Sequence, residues 1–313
     1  MGRAFIFPGQ GSQVVGMGKD FYDSYPVARS TFQLVDETLG YKLSDIIFNG
    51  PSDKLQLTQN TQPALMAVST AINNVIIHQT NKKIQELCSY VAGHSLGEYS
   101  AVCSIDAISL KDTTKLLKVR STSMQNACLP GTGAMAACIG IEQTKLLEIL
   151  DDLVTDGVCQ IANDNVKGQI VISGSSDNID RVIAVIKDIG FKAIKLKVSA
   201  PFHCKLMKPV EQPMREILGS TEIDIPEIPL IANSSAKPTT KPEEIKELLI
   251  SQICGMVRWR EIMDEMANLG ITELVEIGAG KVLSGLAKKS GHNFKISNIA
   301  TVTDMQQFID NLC

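Results

Sequence analysis

The stretch YVAGHSLGEYSA, residues 90–101, restricts the fold more than any other. The apolar run Leu87–Ala92 reads as a short buried strand and Leu96–Cys103 as a helix. Between them sits Gly93-His94-Ser95-Leu96-Gly97, a G-x-S-x-G pentapeptide. A strand that passes straight into a helix through so short a turn belongs to an α/β chain with a mainly parallel sheet. In such a turn the serine occupies a strained bend, the glycines let the helix pack close, and the N–H after the serine points at a developing oxyanion. The pentapeptide alone is weak, because a serine between glycines also suits an ordinary bend. The strand before it and the helix after it favour a nucleophile.

The same rhythm extends along the chain. Arg3–Phe7 reads as a buried strand ended by Pro8 and Gly9. Gln62–Gln79 reads as a helix, with Ala64, Leu65, Val68, Ala71, Ile72, Val75 and Ile76 at helical spacing. Leu110–Cys128 is a further helix, opened by Ser109 with Asp112 three places on and closed by LPGTG. From Ala134 to Ser199 the order becomes β-α-β-β-α-β: AMAACIGI, EQTKLLEILDDL, VCQIAN, QIVISG, SDNIDRVIAVIKDIG, FKAIKLKVS. That is the split βαβ, ferredoxin-like order. It predicts a small domain at 131–199 inserted into a larger α/β one made of 1–130 and 200–313. Beyond it the strands IPLIAN, ITELVEIG and FKISNIA alternate with the helices PEEIKELLISQI, REIMDEMANLG, KVLSGLAKKS and DMQQFIDNL.

Composition removes several function classes. A formal net charge of −4 gives no global basic field for nucleic acid. No apolar stretch approaches the roughly 20 residues of a membrane helix. The opening MGRAFIFPGQGSQ breaks at Pro8, too early for a signal peptide. The eight cysteines form no C-x-x-C pair, and the four histidines lack ligand spacing. Free thiols in a reducing cytoplasm, no metal and no bound cofactor are the expectation.

A serine nucleophile needs a base. His78 falls at a helix end and reads as a capping or surface residue. His94 neighbours Ser95 on an extended segment, where adjacent side chains point to opposite faces. His292 lies in a polar loop. His203, in VSAPFHCKLM, follows the inserted segment at a domain junction, where pockets form. No acidic residue between Ser95 and His203 is marked by its context as a third member, so either an acid is hidden or another group orients the base. PGQGSQ, a glycine-rich turn after a strand, exposes main-chain N–H groups suited to an oxyanion, and it lacks the G-K-[ST] of a nucleotide loop.

Several segments carry a family resemblance: FPGQGSQ at 7–13, GHSLGEYSA at 93–101, Arg120 with Met124, FHC at 202–204, Gln252 before VRW at 257–259, and EIGAGKVLSGL at 276–286. In this order they resemble the malonyl-CoA:acyl carrier protein transacylases of fatty acid synthesis and the related acyltransferase domains of polyketide synthases. The resemblance covers essentially the whole chain. It implies an α/β fold, with an α/β-hydrolase-like large subdomain and a ferredoxin-like insertion. It implies a Ser/His dyad, with Ser95 as nucleophile and His203 as general base and acid. A main-chain carbonyl near Gln252 would orient the imidazole, and the N–H groups of Gln10 and Leu96 would form the oxyanion hole. Arg120, with Met124 on the same helix face, would hold the malonyl carboxylate as a bidentate pair. In the polyketide relatives a Phe before the histidine accompanies malonyl selection and a Ser methylmalonyl, so Phe202 would exclude an α-methyl group. Asn163 would line the acceptor side.

The implied substrates are malonyl-CoA and phosphopantetheinylated acyl carrier protein, with no cofactor bound. The carrier is a transient, acidic partner, which Lys111, Lys115, Lys118, Lys187, Lys192, Lys195 and Lys197 could meet. Ala279 and Met256 stand where the family usually has proline, near the segment expected to orient His203. Three other functions share parts of this pattern: an acyl-thioester hydrolase, a discrete acyltransferase serving a polyketide or polyunsaturated-lipid synthase, and a non-enzymatic carrier-docking scaffold.

Overall fold

The computed structural model describes residues 2–312. Its strands are β1 (Gly2–Phe7), β2 (Tyr90–Gly93), β3 (Gly133–Ile139), β4 (Cys159–Val166), β5 (Gln169–Ser175), β6 (Lys192–Lys195), β7 (Leu230–Ile231), β8 (Pro238–Thr239), β9 (Ile271–Ile277) and β10 (Lys295–Ile299). They form a six-stranded sheet of order β10-β9-β1-β2-β7-β8 and a four-stranded sheet of order β4-β5-β3-β6. The first is parallel except for the β7–β8 edge pair. The second is antiparallel throughout, and its order is that of a ferredoxin-like βαββαβ unit. The chain is therefore α/β, as its strand–helix rhythm predicts.

Alternation along β1 shows why the large sheet is covered on both faces. Phe5 and Phe7 join one hydrophobic cluster, and Ala4 and Ile6 join another on the opposite side. On the first face lies the helix Thr58–Thr80, buried continuously from Asn60 to Asn73. Its apolar pattern suggests one buried face over 62–79. In the folded chain it begins a turn earlier and is enclosed by the helices Pro26–Leu39, Leu110–Asn126 and Gly97–Ser104. A helix buried on all sides is a central one, and it carries polar residues into the interior. The other face is covered by Trp259, Ile262, Met263 and Met266 of one helix and Leu283 and Leu286 of another.

Some elements differ from the sequence-based expectation. Leu87 ends a one-turn helix, Ile84–Leu87, and the strand starts only at Tyr90. The Lys83 N–H donates to Glu86 Oε2 at 2.8 Å, which closes that turn and delays the strand. FKAIKLKVS pairs only over Lys192–Lys195; beyond it Leu196 and Val198 turn toward the space between the sheets. Residues 19–56 form four helices beyond those expected from the sequence: three are too short to show a period, and Pro26–Leu39 buries Ala28, Phe32, Val35 and Leu39 at helical spacing.

The segment before the helix Trp259–Asn268 bridges to the small sheet at β4. Val257 N–H donates to Ala162 O at 2.8 Å, and Asp164 N–H to Val257 O at 3.0 Å. Arg260 pairs beside this bridge with the buried Asp164 at 2.7 Å. A cavity opens next to the junction. Among the described residues no helix is long and apolar enough to cross a membrane.

Candidate active site

The cavity, about 200 Å³, is floored by the end of β2 and the start of the helix Gly97–Ser104. Ser95 lies between them with φ 55°, a left-handed backbone that costs a non-glycine residue conformational energy. The flanking glycines make the bend possible. A Cβ on Gly93 would stand 1.9 Å from the Gly97 carbonyl, and one on Gly97 would stand 2.3 Å from Phe7 O. The turn is fastened from below: Asn233 Oδ1 accepts the Ser95 N–H at 2.7 Å, and Asn233 Nδ2 donates to Gly93 O at 2.6 Å.

His203 arrives from the far side, just after Pro201 and Phe202, and is itself in the left-handed region at φ 58°. Its Nε2 is 2.7 Å from Ser95 Oγ, and its Nδ1 is 2.9 Å from the main-chain oxygen of Gln252. A carbonyl only accepts, so Nδ1 carries the proton, and Nε2 is left to accept from the serine hydroxyl. The missing acid is thereby explained. Ala279 and Met256 do not break this contact.

Burial pushes the His203 imidazole down to about 3, and the nearby Arg120 charge adds to the shift. The ring is thus neutral at pH 7. Glu98, buried beneath the turn, moves the other way: burial raises its carboxyl to about 7, against the pull of Asn233, Gln252 and Arg120.

These shifts have opposite consequences for stability. The unfolded imidazole takes a proton below its ordinary 6.5, whereas the folded one stays neutral down to about 3, so this group costs stability as the pH falls through that window. Folded Glu98 binds its proton near 7, before the unfolded 4.5, so it adds stability as the pH falls from 7 to 4.5. The two offset each other until about pH 4.5, and the loss from this pair is concentrated below it. In a His203→Gln variant, the stability measured by chemical denaturation should gain on the wild type by about 1.4 kcal/mol per pH unit as the pH is lowered from 6.5. A gap that does not change with pH would show that the imidazole titrates normally in the folded protein.

Arg120 is 1% exposed and reaches the same point. Its Nη2 is 3.3 Å from Ser95 Oγ and donates to Gln252 Oε1 at 2.7 Å; its Nη1 donates to Gln62 Oε1 at 2.7 Å. Its Nε has no partner among the described residues. The guanidinium also lies 5.3 Å from the centre of the Tyr99 ring. Two neutral amides fix this cation while no carboxylate touches it directly. Such a group can bind an anion brought to Ser95.

The other predicted residues also meet here. Gln10, Leu96, Met124, Asn163 and Phe202 all line the cavity. The main-chain N–H groups of Gln10 and Leu96 donate to nothing among the described residues, which leaves both free for a third oxygen. Of the remaining histidines, His94 also lines the cavity but is held by Asn165 away from the Ser95 hydroxyl, and His78 and His292 lie outside it. His94 Nε2 contacts Asn165 Oδ1 at 2.9 Å, His292 Nε2 contacts Asp264 Oδ1 at 2.7 Å, and His78 is exposed. The predicted lysines fall into two groups: Lys111, Lys115 and Lys118 on one helix, and Lys187, Lys192, Lys195 and Lys197 on the small sheet and its helix. Lys195 and Lys197 alternate with the cavity-lining Leu196 and Val198.

Gln62, Glu98 and Asn233 escape a reading of the sequence. The first two look like ordinary members of helices, and the third follows a two-residue strand. Only the G-x-S-x-G-E continuation, GHSLGE, placed Glu98 near the serine. Among the described residues no group of three or more His, Cys, Asp or Glu side chains could hold a metal ion.

Comparison with known proteins gives the family. The acyl transferase domain family matches residues 4–311. The chain is 40% identical to the malonyl CoA-acyl carrier protein transacylase of Bacillus subtilis, over 99% of this chain and 96% of that protein. It is 38% identical to the Escherichia coli protein of the same name, over 91% and 92%. The crystal structure of the acyl-carrier-protein-S-malonyltransferase of Bartonella henselae superposes with a TM-score of 0.97 at 45% identity, covering 100% of this chain and 99% of that one. A malonyl-transacylase solved in complex with its type II polyketide synthase acyl-carrier protein matches with a TM-score of 0.95 at 34% identity, covering 99% and 100%.

Proposed function

Because the chain belongs to the acyl transferase domain family, we propose that it moves malonyl from coenzyme A to the phosphopantetheine thiol of acyl carrier protein through an ester on Ser95. The observation that carries this is the pairing of a neutral Ser95–His203 couple with a buried guanidinium 3.3 Å from the serine oxygen. The couple suits attack on a thioester, and the cation suits an acyl group that ends in a carboxylate.

The transfer runs in two halves. His203 Nε2 takes the proton of Ser95 Oγ as that oxygen attacks the thioester carbon. The carbonyl oxygen becomes an oxyanion held by the Gln10 and Leu96 N–H groups. Its collapse breaks the C–S bond, and coenzyme A leaves as a thiol carrying the proton from His203. The carrier's thiol then gives its proton to His203 and attacks the ester. Ser95 is released and takes that proton back. Throughout, Gln252 O holds Nδ1–H, and Arg120 holds the malonyl carboxylate. Phe202 and Met124 restrict the cavity around the α-carbon, and Asn163 lines the acceptor side.

We also assign residues 131–199 to a ferredoxin-like subdomain set into an α/β-hydrolase-like one formed by 1–130 and 200–313. Lys197, exposed between the cavity-lining Leu196 and Val198, favours an acidic carrier on that side, whereas Lys195 is paired with Asp180. The cysteines among the described residues are all free, which supports a cytoplasmic, reducing location.

Intact-protein mass spectrometry tests the route. Malonyl-CoA should add one malonyl group to the protein, and holo acyl carrier protein should remove it and gain the same mass. Free malonate appearing without a carrier would identify a hydrolase instead. A carrier from a polyketide or polyunsaturated-lipid synthase, accepted in preference to one from fatty acid synthesis, would move the enzyme to that pathway.

A further inference from the structure

Glu98 is a buried carboxylate that no step above uses. Its Oε1 accepts the Asn233 N–H at 3.0 Å, and its Oε2 accepts from Gln252 Nε2 in a short contact. Gln252 Nε2 also donates to Ser95 O at 2.9 Å, while Gln252 Oε1 accepts from Arg120 Nη2 at 2.7 Å. With Glu98 ionised, above about pH 7, the Gln252 amide is clamped between a group that only accepts and a group that only donates. It has one permitted orientation, with NH₂ toward Glu98 and oxygen toward Arg120.

We propose that Glu98 is a positioning residue for acyl selection, acting on Arg120 through the Gln252 amide. The arrangement solves a conflict. A buried guanidinium needs a counter-charge, but a carboxylate paired directly with it would occupy the place of the substrate's own carboxylate. One amide between the two lets Glu98 balance Arg120 from behind and leaves the guanidinium face beside Ser95 open. The same carboxylate holds the Asn233 main chain, whose side chain fastens the Ser95 turn. A neutral amide at position 98 would set its own NH₂ against a donor, either the Asn233 N–H or the Gln252 NH₂. Relief comes if Gln252 turns over, and that turns its NH₂ toward Arg120 and spoils the guanidinium's aim.

The inference rests on the malonyl reading, and the experiment separates the two. Single-turnover acylation of the wild type, Glu98→Gln and Glu98→Asp is followed by intact mass at about pH 8, where Glu98 is ionised, with malonyl-CoA and acetyl-CoA in parallel. The malonyl rate should fall more than the acetyl rate, lowering the malonyl-to-acetyl ratio by about tenfold in Glu98→Gln, a loss typical of one misdirected hydrogen bond to a charged group. Glu98→Asp, which keeps the charge on a shorter arm, should fall between. Equal loss of both rates, or failure of both variants to fold, would assign Glu98 to stability alone and overturn the proposal. If the wild type itself forms no malonyl adduct, the malonyl reading fails first.

Discussion

Ser95→Ala protein mixed with malonyl-CoA will keep its unmodified mass, and transfer to the carrier will fall by on the order of 10⁵-fold or more. Removing the nucleophile from a dyad leaves only the residual help of the oxyanion donors and of binding. The fold should survive. Alanine keeps the Cβ already accommodated at φ 55°, and the turn is fastened through the backbone of residue 95, whose N–H and carbonyl bond to Asn233 and Gln252. The variant's melting temperature and circular dichroism should therefore stay close to those of the wild type. Malonyl-CoA should still bind, because Arg120 keeps both of its glutamine partners. A malonyl adduct on the variant would place the nucleophile elsewhere.

Arg120→Met should change what the enzyme carries. The substitution removes the cation within reach of Ser95 Oγ and replaces it with an apolar chain of similar length. Two hydrogen bonds to a carboxylate, each contributing about 1.5–3 kcal/mol, correspond to a loss of roughly 10²–10⁴ in kcat/KM for malonyl-CoA. Acetyl-CoA has no carboxylate to lose, and it no longer leaves a buried guanidinium unpaired, so its kcat/KM should hold or rise. Glu98 will take up a proton once its counter-charge is gone, because Arg120 is one of the influences holding its carboxyl down. Stability should drop as well, since Gln62 and Gln252 are left with unsatisfied oxygens. Parallel loss for malonyl and acetyl would show that Arg120 supports the fold rather than selecting the acyl group.

Ser95 and His203, which the fold brings to 2.7 Å, were legible because their signals are local. GHSLG needs its two glycines for close strand–helix packing, and His203 stands out by its place after the βαββαβ segment. Both sheets were legible for a similar reason, since strand–helix alternation and the βαββαβ order can be read without contacts. The groups that tune the pair were not. Gln62 meets Arg120 across 58 positions of sequence, and Asn233 meets Ser95 across 138. A polar residue in a helix carries no mark that tertiary packing will bury it, so nothing in the sequence singles out Glu98 or Gln62. Three of the helices in residues 19–56 are too short to show a period, but Pro26–Leu39 buries Ala28, Phe32, Val35 and Leu39 at helical spacing and was legible in principle.

Gln252 meets His203 through its main chain and Arg120 through its side chain. The first contact is indifferent to which amino acid occupies the position; the second depends on it entirely. A substitution at this one site therefore keeps the carbonyl that holds the imidazole, but it gives up at once the side-chain bonds to Arg120, to Glu98 and to the Ser95 turn. The position is a junction, where a change of cargo carries a cost to the turn that holds the serine.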